Sequence, residues 1–205
     1  MLFFTHIITL ALASTANAAA SGYSTAPNCF TLRGINPNGT SLGALRVGQY
    51  WLADYVVYGV FYDETGQPNV GTKFGVDSRT RHLLDRDAGE VNFGVPHNGL
   101  VASVPSAGSG SSFVWFDTKN RTVDPDGAGR VALNCLVDSH SRLTCAHPTK
   151  PGYNVFHFCP VPEGVSDIFP ALLIGAASDI AGASFFDVTC YPITVAVVRA
   201  QGCLG

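Results

Sequence analysis

The chain has 205 residues, of which 13% are charged and 46% hydrophobic, and its formal net charge is −3. That balance excludes a nucleic-acid binder, which needs a basic surface. It also excludes a disordered chain, which cannot carry so much apolar side chain. With 22 glycines and a single methionine, the composition fits one turn-rich β domain.

Residues 1–18, MLFFTHIITLALASTANA, are apolar through Leu12 and then turn to small residues, ending on Ala16-Asn17-Ala18. A small-x-small site after an apolar run predicts a secretory signal peptide over 1–18. The run is too short for a membrane span and has no basic flank. Residues 19–205 then form a single domain destined for the extracellular space or the cell wall. Its cysteines, Cys29, Cys135, Cys145, Cys159, Cys190 and Cys203, are even in number, which in an exported chain predicts disulfides. There is no C-x-x-C pair and no histidine at ligand spacing, so neither a metal nor another cofactor is expected.

The first predicted strand is Cys29–Arg33, with Phe30 and Leu32 inward. INPNGTSLG reads as loop and contains the N-glycosylation sequon at Asn38. Residues 47–62 hold the densest aromatic and β-branched run; they exceed one ordinary strand and are split near Ala53-Asp54. Short strands are expected at Thr72–Val76 and Arg81–Leu84. VNFGV (91–95) and LVASV (100–104) flank Pro96-His97-Asn98-Gly99, and Asn-Gly between alternating apolar runs predicts a hairpin. FVWF (113–116) is a further strand. The turn region after it carries a second sequon at Asn120. It also holds Asp124-Pro125-Asp126-Gly127, which begins like a calcium loop but lacks the later ligands.

Residues 131–159 predict a three-stranded antiparallel meander. Val131, Leu133, Cys135 and Val137 share one face of the first strand, and Leu143 and Cys145 share one face of the second. A turn centred on His140 sets Cys135 opposite Cys145 and Val137 opposite Leu143, and a one-residue slip would split the apolar sets. Six cysteines allow fifteen pairings, which sequence alone does not decide; that register favours a Cys135–Cys145 bridge. Cys29 and Cys190 adjoin the first and last strands, and a link between them would close the domain. Residues 165–186 are apolar but interrupted by Asp167, Pro170 and Asp179, which excludes a membrane helix and predicts a short helix near 165–182. CYPITVAVV (190–198) is the closing strand. The fold expected is all-β: a single compact barrel, trefoil-like or sandwich domain.

No nucleophile elbow G-x-S-x-G is present, since Gly108-Ser109-Gly110 and Gly182-Ala183-Ser184 do not match it. His140, His147 and His157 fall near the meander, with His140 in a turn and His157 in a strand. Asp54 is the carboxylate placed most suggestively, inside the aromatic run. Tyr50, Trp51, Tyr55, Tyr58 and Tyr62, with Asp54 among them, could form a platform for a sugar ring, with apolar faces for its C–H surface and polar tips for its hydroxyls. Trp51 and Trp115 fit a core equally well. Gln49-Tyr50-Trp51 fits the Gln-x-Trp tripeptide of ricin-type trefoil lectins, once where those carry one per repeat.

The chain resembles a broad group of small secreted fungal proteins, many of them wall- or surface-associated. The resemblance rests on Phe30-Thr31-Leu32, Gly48-Gln49-Tyr50-Trp51-Leu52, Phe74-Gly75-Val76-Asp77 leading to Leu83, Asn134-Cys135-Leu136 with Leu143-Thr144-Cys145, Phe156-His157-Phe158-Cys159-Pro160 and Cys190-Tyr191-Pro192-Ile193-Thr194-Val195. These motifs concern folding, and no catalytic residue is implied by them. The segment 165–186 and Cys203 depart from the group. The resemblance implies a secreted, non-catalytic, wall- or surface-associated protein. The aromatic run adds wall or host glycans as the expected partners, with Trp51, Tyr50, Tyr55 and Asp54 as contact residues. The alternatives are a host-directed effector with a protein partner, and a hydrolase. A large apolar patch would favour the effector. A Ser–His pair within hydrogen-bond reach, or two carboxylates in a deep pocket, would favour the hydrolase.

Overall fold

The computed structural model describes residues 29–49, 57–62, 71–92, 95–107, 110–118, 129–161, 170–180, 184–185 and 188–204. Among them eleven strands form one sheet: β1 (Phe30–Ile35), β2 (Ser41–Gln49), β3 (Val57–Tyr62), β4 (Phe74–Val76), β5 (Leu83–Asp85), β8 (Val101–Pro105), β10 (Trp115–Asp117), β11 (Arg130–Ala132), β12 (Asn134–Val137), β13 (Arg142–Ala146) and β19 (Thr194–Arg199). Four more form a second sheet: β9 (Ser112–Phe113), β14 (Tyr153–Phe158), β15 (Leu172–Ala176) and β18 (Tyr191–Pro192). β6 (Glu90–Asn92) pairs β7 (Val95–Pro96), and β16 (Ser184–Phe185) pairs β17 (Val188–Thr189). The helix α1 spans Ala177–Ile180. The large sheet runs β12-β13-β19-β1-β2-β3-β10-β8-β5-β4, with β11 also on β8. The pairing Phe30↔Phe74 curls β4 back against β1.

Alternation explains β1. Phe30, Leu32 and Gly34 are buried and the residues between them are half-buried, the period of a strand with one face on a core. From the second sheet Phe156, Phe158, Leu172 and Ile174 join Phe30, Leu45, Phe61 and Phe74 of the first in a single buried cluster. The Phe61 and Phe158 rings lie 5.6 Å apart across the two sheets. This is a two-layer sandwich, held chiefly by apolar burial worth roughly 1.5–3 kcal/mol for each large side chain removed from water. The close packing has a testable point at Gly34, where an added Cβ would stand 2.7 Å from Phe61 Cε1. Gly34→Ala is expected to lower the unfolding free energy by about 1–3 kcal/mol, the usual cost of overpacking. Urea denaturation reads it, and an unchanged midpoint would mean that Phe61 can re-aim without loss.

The 135–145 hairpin has the register that its apolar alternation requires. Cys135 pairs Cys145 and Val137 pairs Leu143, and the two cysteines are bonded. Asp138 Oδ1 holds the turn by accepting the N–H groups of His140 at 2.8 Å and Arg142 at 2.9 Å, as short polar turn residues do.

Four expectations are corrected. The meander stops after two strands: β14 pairs β15 and β18 in the second sheet, and β13 takes β19 as its other neighbour. The reason lies in the side chains, because Phe156, His157 and Phe158 are buried in succession, which suits a strand covered on both faces. The Asn98-Gly99 turn does not join a paired hairpin. β7 returns to β6, while β8, buried from Val101 to Val104, pairs β5, β10 and β11. The stretch 165–186 does contain a short helix, α1, but Leu172–Ala176 before it is a strand. A short apolar run is ambiguous between the two forms, and here its hydrogen bonds go to β14 and β9. Finally, Cys29 bonds Cys203 and Cys190 bonds Cys159. The chain crosses between sheets at Ile193, so that β18 and β19 belong to different layers, and Cys190 is carried away from Cys29.

Each of the three bridges reinforces strands that are already paired. Cys135–Cys145 joins β12 to β13. Cys159–Cys190 sits beside the Phe158↔Tyr191 pair of β14 and β18. Cys29–Cys203 lies just beyond the β1–β19 pair.

Candidate functional site

Of the platform residues, Tyr50, Trp51, Asp54 and Tyr55 lie outside the described residues, as do the sequon at Asn120 and the Asp124–Gly127 turn, while Tyr58 and Tyr62 fall on β3. The strands that flank the platform segment are described: Gln49 at the end of β2 is paired directly with Val57 at the start of β3. Asn38 is exposed in the turn between β1 and β2, where its side-chain oxygen accepts the Thr40 N–H at 3.0 Å. Trp115 is half-buried on β10, and the Arg130 guanidinium stacks on its ring, 3.7 Å from the centroid. That guanidinium also donates to Asp117 Oδ2 at 2.6 Å. One face of Trp115 is therefore covered by a cation fixed in place by a buried carboxylate.

The three histidines of the predicted meander do not converge. His140 is exposed in its turn. His147 is buried; its Nε2 lies 3.3 Å from the Pro105 carbonyl and its Nδ1 accepts the Thr149 N–H at 3.2 Å. Burial pushes its pKa down. His157 is fully buried on β14, with Nε2 3.1 Å from Ser111 Oγ. Burial lowers its pKa to about 4, because an imidazolium there would lose its water.

Ser111–His157 is thus a Ser–His pair within hydrogen-bond reach. Its chemistry is incomplete as a relay. Nδ1 of His157 is buried and has no hydrogen-bond partner among the described residues, whereas a catalytic imidazole has a carboxylate there. The charge of Asp179 acts on the ring, but its two oxygens engage the Ala176 N–H and the Ser178 hydroxyl at 3.3 Å each. The pair is closely packed: an added Cβ at Gly175 would stand 2.8 Å from Ser111 Oγ and 3.0 Å from His157 Nε2.

A second histidine pair has no forerunner in the sequence reading. His97 Nδ1 lies 2.6 Å from Asp85 Oδ2, and Asp85 is 0% exposed. Burial pushes the Asp85 carboxyl up, and the hydrogen bond to Asp85 pushes His97 up. Asp85 also organises the neighbouring turn: Oδ1 accepts the Asp87 N–H, its own N–H donates to the Leu100 carbonyl, and its carbonyl accepts the Gly99 N–H. The carboxylate fixes the ring's orientation, as in the acid–base half of a relay. Among the described residues the pair's contacts are those of a turn anchor. A clue was present in the alternation of Leu83 and Asp85, which places a carboxylate at an inward position.

No protein-family model, no curated protein and no solved structure matches the chain.

Proposed function

We propose that this chain acts outside the cell as a non-catalytic, disulfide-locked surface or wall protein that recognises glycans, with Tyr50, Trp51, Asp54 and Tyr55 as the contact residues. The observation that carries the extracellular part is the use of all six cysteines in three bridges, a pattern that persists in oxidising compartments. No helix among the described residues is long and apolar enough to cross a membrane. Glycan is favoured over a protein partner because, among the described residues, Val198 and Leu204 are the exposed large hydrophobics, far short of an apolar docking patch. The hydrolase reading has one observation in its favour, the Ser111–His157 contact, and the orphaned Nδ1 weighs against it.

The test is retention on insoluble chitin and β-glucan. Wild-type protein is expected to sediment with at least one of them, and Trp51→Ala to stay in the supernatant with an unchanged melting temperature. Absence of wild-type retention on every wall polysaccharide tried would defeat the glycan reading.

A further inference from the structure

Next to the Cys29–Cys203 bridge lies an open cleft of about 480 Å³, within the size range of small-molecule sites. One wall comes from the end of β4 and the turn after it, with Val76, Asp77 and Ser78. Another comes from Arg86, and a third from the C-terminal tail with Leu204. The tail is secured by more than the bridge. The Leu204 N–H donates to the Arg86 carbonyl at 3.0 Å, and Lys73 Nζ donates to the Gly202 carbonyl at 3.3 Å. The Arg86 N–H donates in turn to the Lys73 carbonyl at 2.8 Å. The backbone of Arg86 is thus tied into the wall, while its guanidinium has no hydrogen-bond or ion-pair partner among the described residues. Lys73, the neighbouring cation, is already matched with Asp87 at 3.8 Å.

A half-buried, unpaired guanidinium at a cleft offers a planar fork of donors matched to a carboxylate. The other polar groups of the cleft suit hydroxyls. Asp77 stays ionised because the N–H and hydroxyl of Thr80 hold its pKa down, so it accepts, and the exposed Ser78 can donate or accept. Val76, Leu204 and the disulfide supply an apolar floor. We propose that this cleft binds a small hydroxylated carboxylate, with the Arg86 guanidinium gripping the carboxylate and Asp77 and Ser78 taking hydroxyls. Two sources share that chemistry, a uronate residue of an acidic polysaccharide and a free hydroxy acid. The proposal does not rest on the Tyr50–Tyr55 segment.

Isothermal titration of the whole secreted protein tests this with tri-galacturonate, tartrate, neutral galactotriose and glycine. Binding of either hydroxylated acid, none of galactotriose, and a loss of about ten-fold or more in Arg86→Gln at unchanged melting temperature are expected. Preference for tri-galacturonate identifies the polymer, and preference for tartrate the free acid. The proposal is overturned if neither acid binds, if Arg86→Gln binds as wild type does, or if glycine competes equally and so assigns Asp77 to an ammonium group. Retention on neutral wall polysaccharide with no response to either acid would leave the glycan reading standing and remove this one.

Discussion

Replacing Cys29 and Cys203 together by serine is expected to lower the unfolding free energy by about 5 kcal/mol, more than the loss of either other bridge alone. The bridge joins residues 174 apart in sequence. In the chain-entropy account a cross-link acts mainly on the unfolded state, and its effect grows slowly with the loop it closes. Cys135–Cys145 closes a separation of only 10 residues, so its removal is expected to cost about 3 kcal/mol. The native contacts point the same way. The β12–β13 hairpin is local and has a turn of its own, while β1 and β19 have nothing else that joins their ends covalently. Urea denaturation of the two double variants, side by side with wild type, gives the ranking. An equal or smaller loss for the Cys29/Cys203 variant would refute the entropic account. Reduction of all three bridges is expected to lower the melting temperature by more than either variant does.

Acidification is expected to destabilise the fold through His157. The ring's pKa is about 4 in the folded protein, against about 6.5 in an unfolded chain. Above pH ~6.5 the ring is neutral in both states and its contribution is complete. Between pH ~6.5 and ~4 the unfolded chain takes up a proton that the folded one refuses, so stability falls as pH falls. Below about pH 4 both states are protonated and the loss levels off near 3 kcal/mol. His147, also lowered by burial, adds in the same direction, and His97, raised by Asp85, acts in the opposite one. His157→Gln separates them. Its stability should change less between pH 7 and pH 4.5 than that of wild type, by roughly the same few kcal/mol. A wild-type stability flat over that range, or a slope preserved in the variant, would show that the ring is not held neutral.

Local alternation made part of this fold legible. Phe30 and Leu32, and the set Cys135, Val137, Leu143 and Cys145, each announce a half-buried strand, and in the second case also its partner and register. What escaped was the assignment of strands to layers. Leu172–Ile174 and Phe156–Phe158 are apolar without alternation, and such runs say that a segment is buried but not beneath what. Cys203 pairs across nearly the whole chain, a distance at which spacing carries no information. The Asp85–His97 contact escaped because both residues sit at the ends of short strands or turns, where polar residues are ordinary. The aromatic run at 50–55 was the clearest functional signal in the sequence. Arg86 gave none, since an arginine between two aspartates reads as solvated surface until the tail folds against it.

The adjacency of β1 and β19 has a consequence for biosynthesis. A ribosome delivers Phe30 long before Thr194, yet their strands are neighbours. Until β19 has emerged, one side of β1 is largely an open ladder of amide and carbonyl groups, the kind of surface on which foreign strands recruit themselves. Closure of the large sheet at β1 therefore waits for β19 to emerge, and that interval is when β1 is most exposed to misassembly.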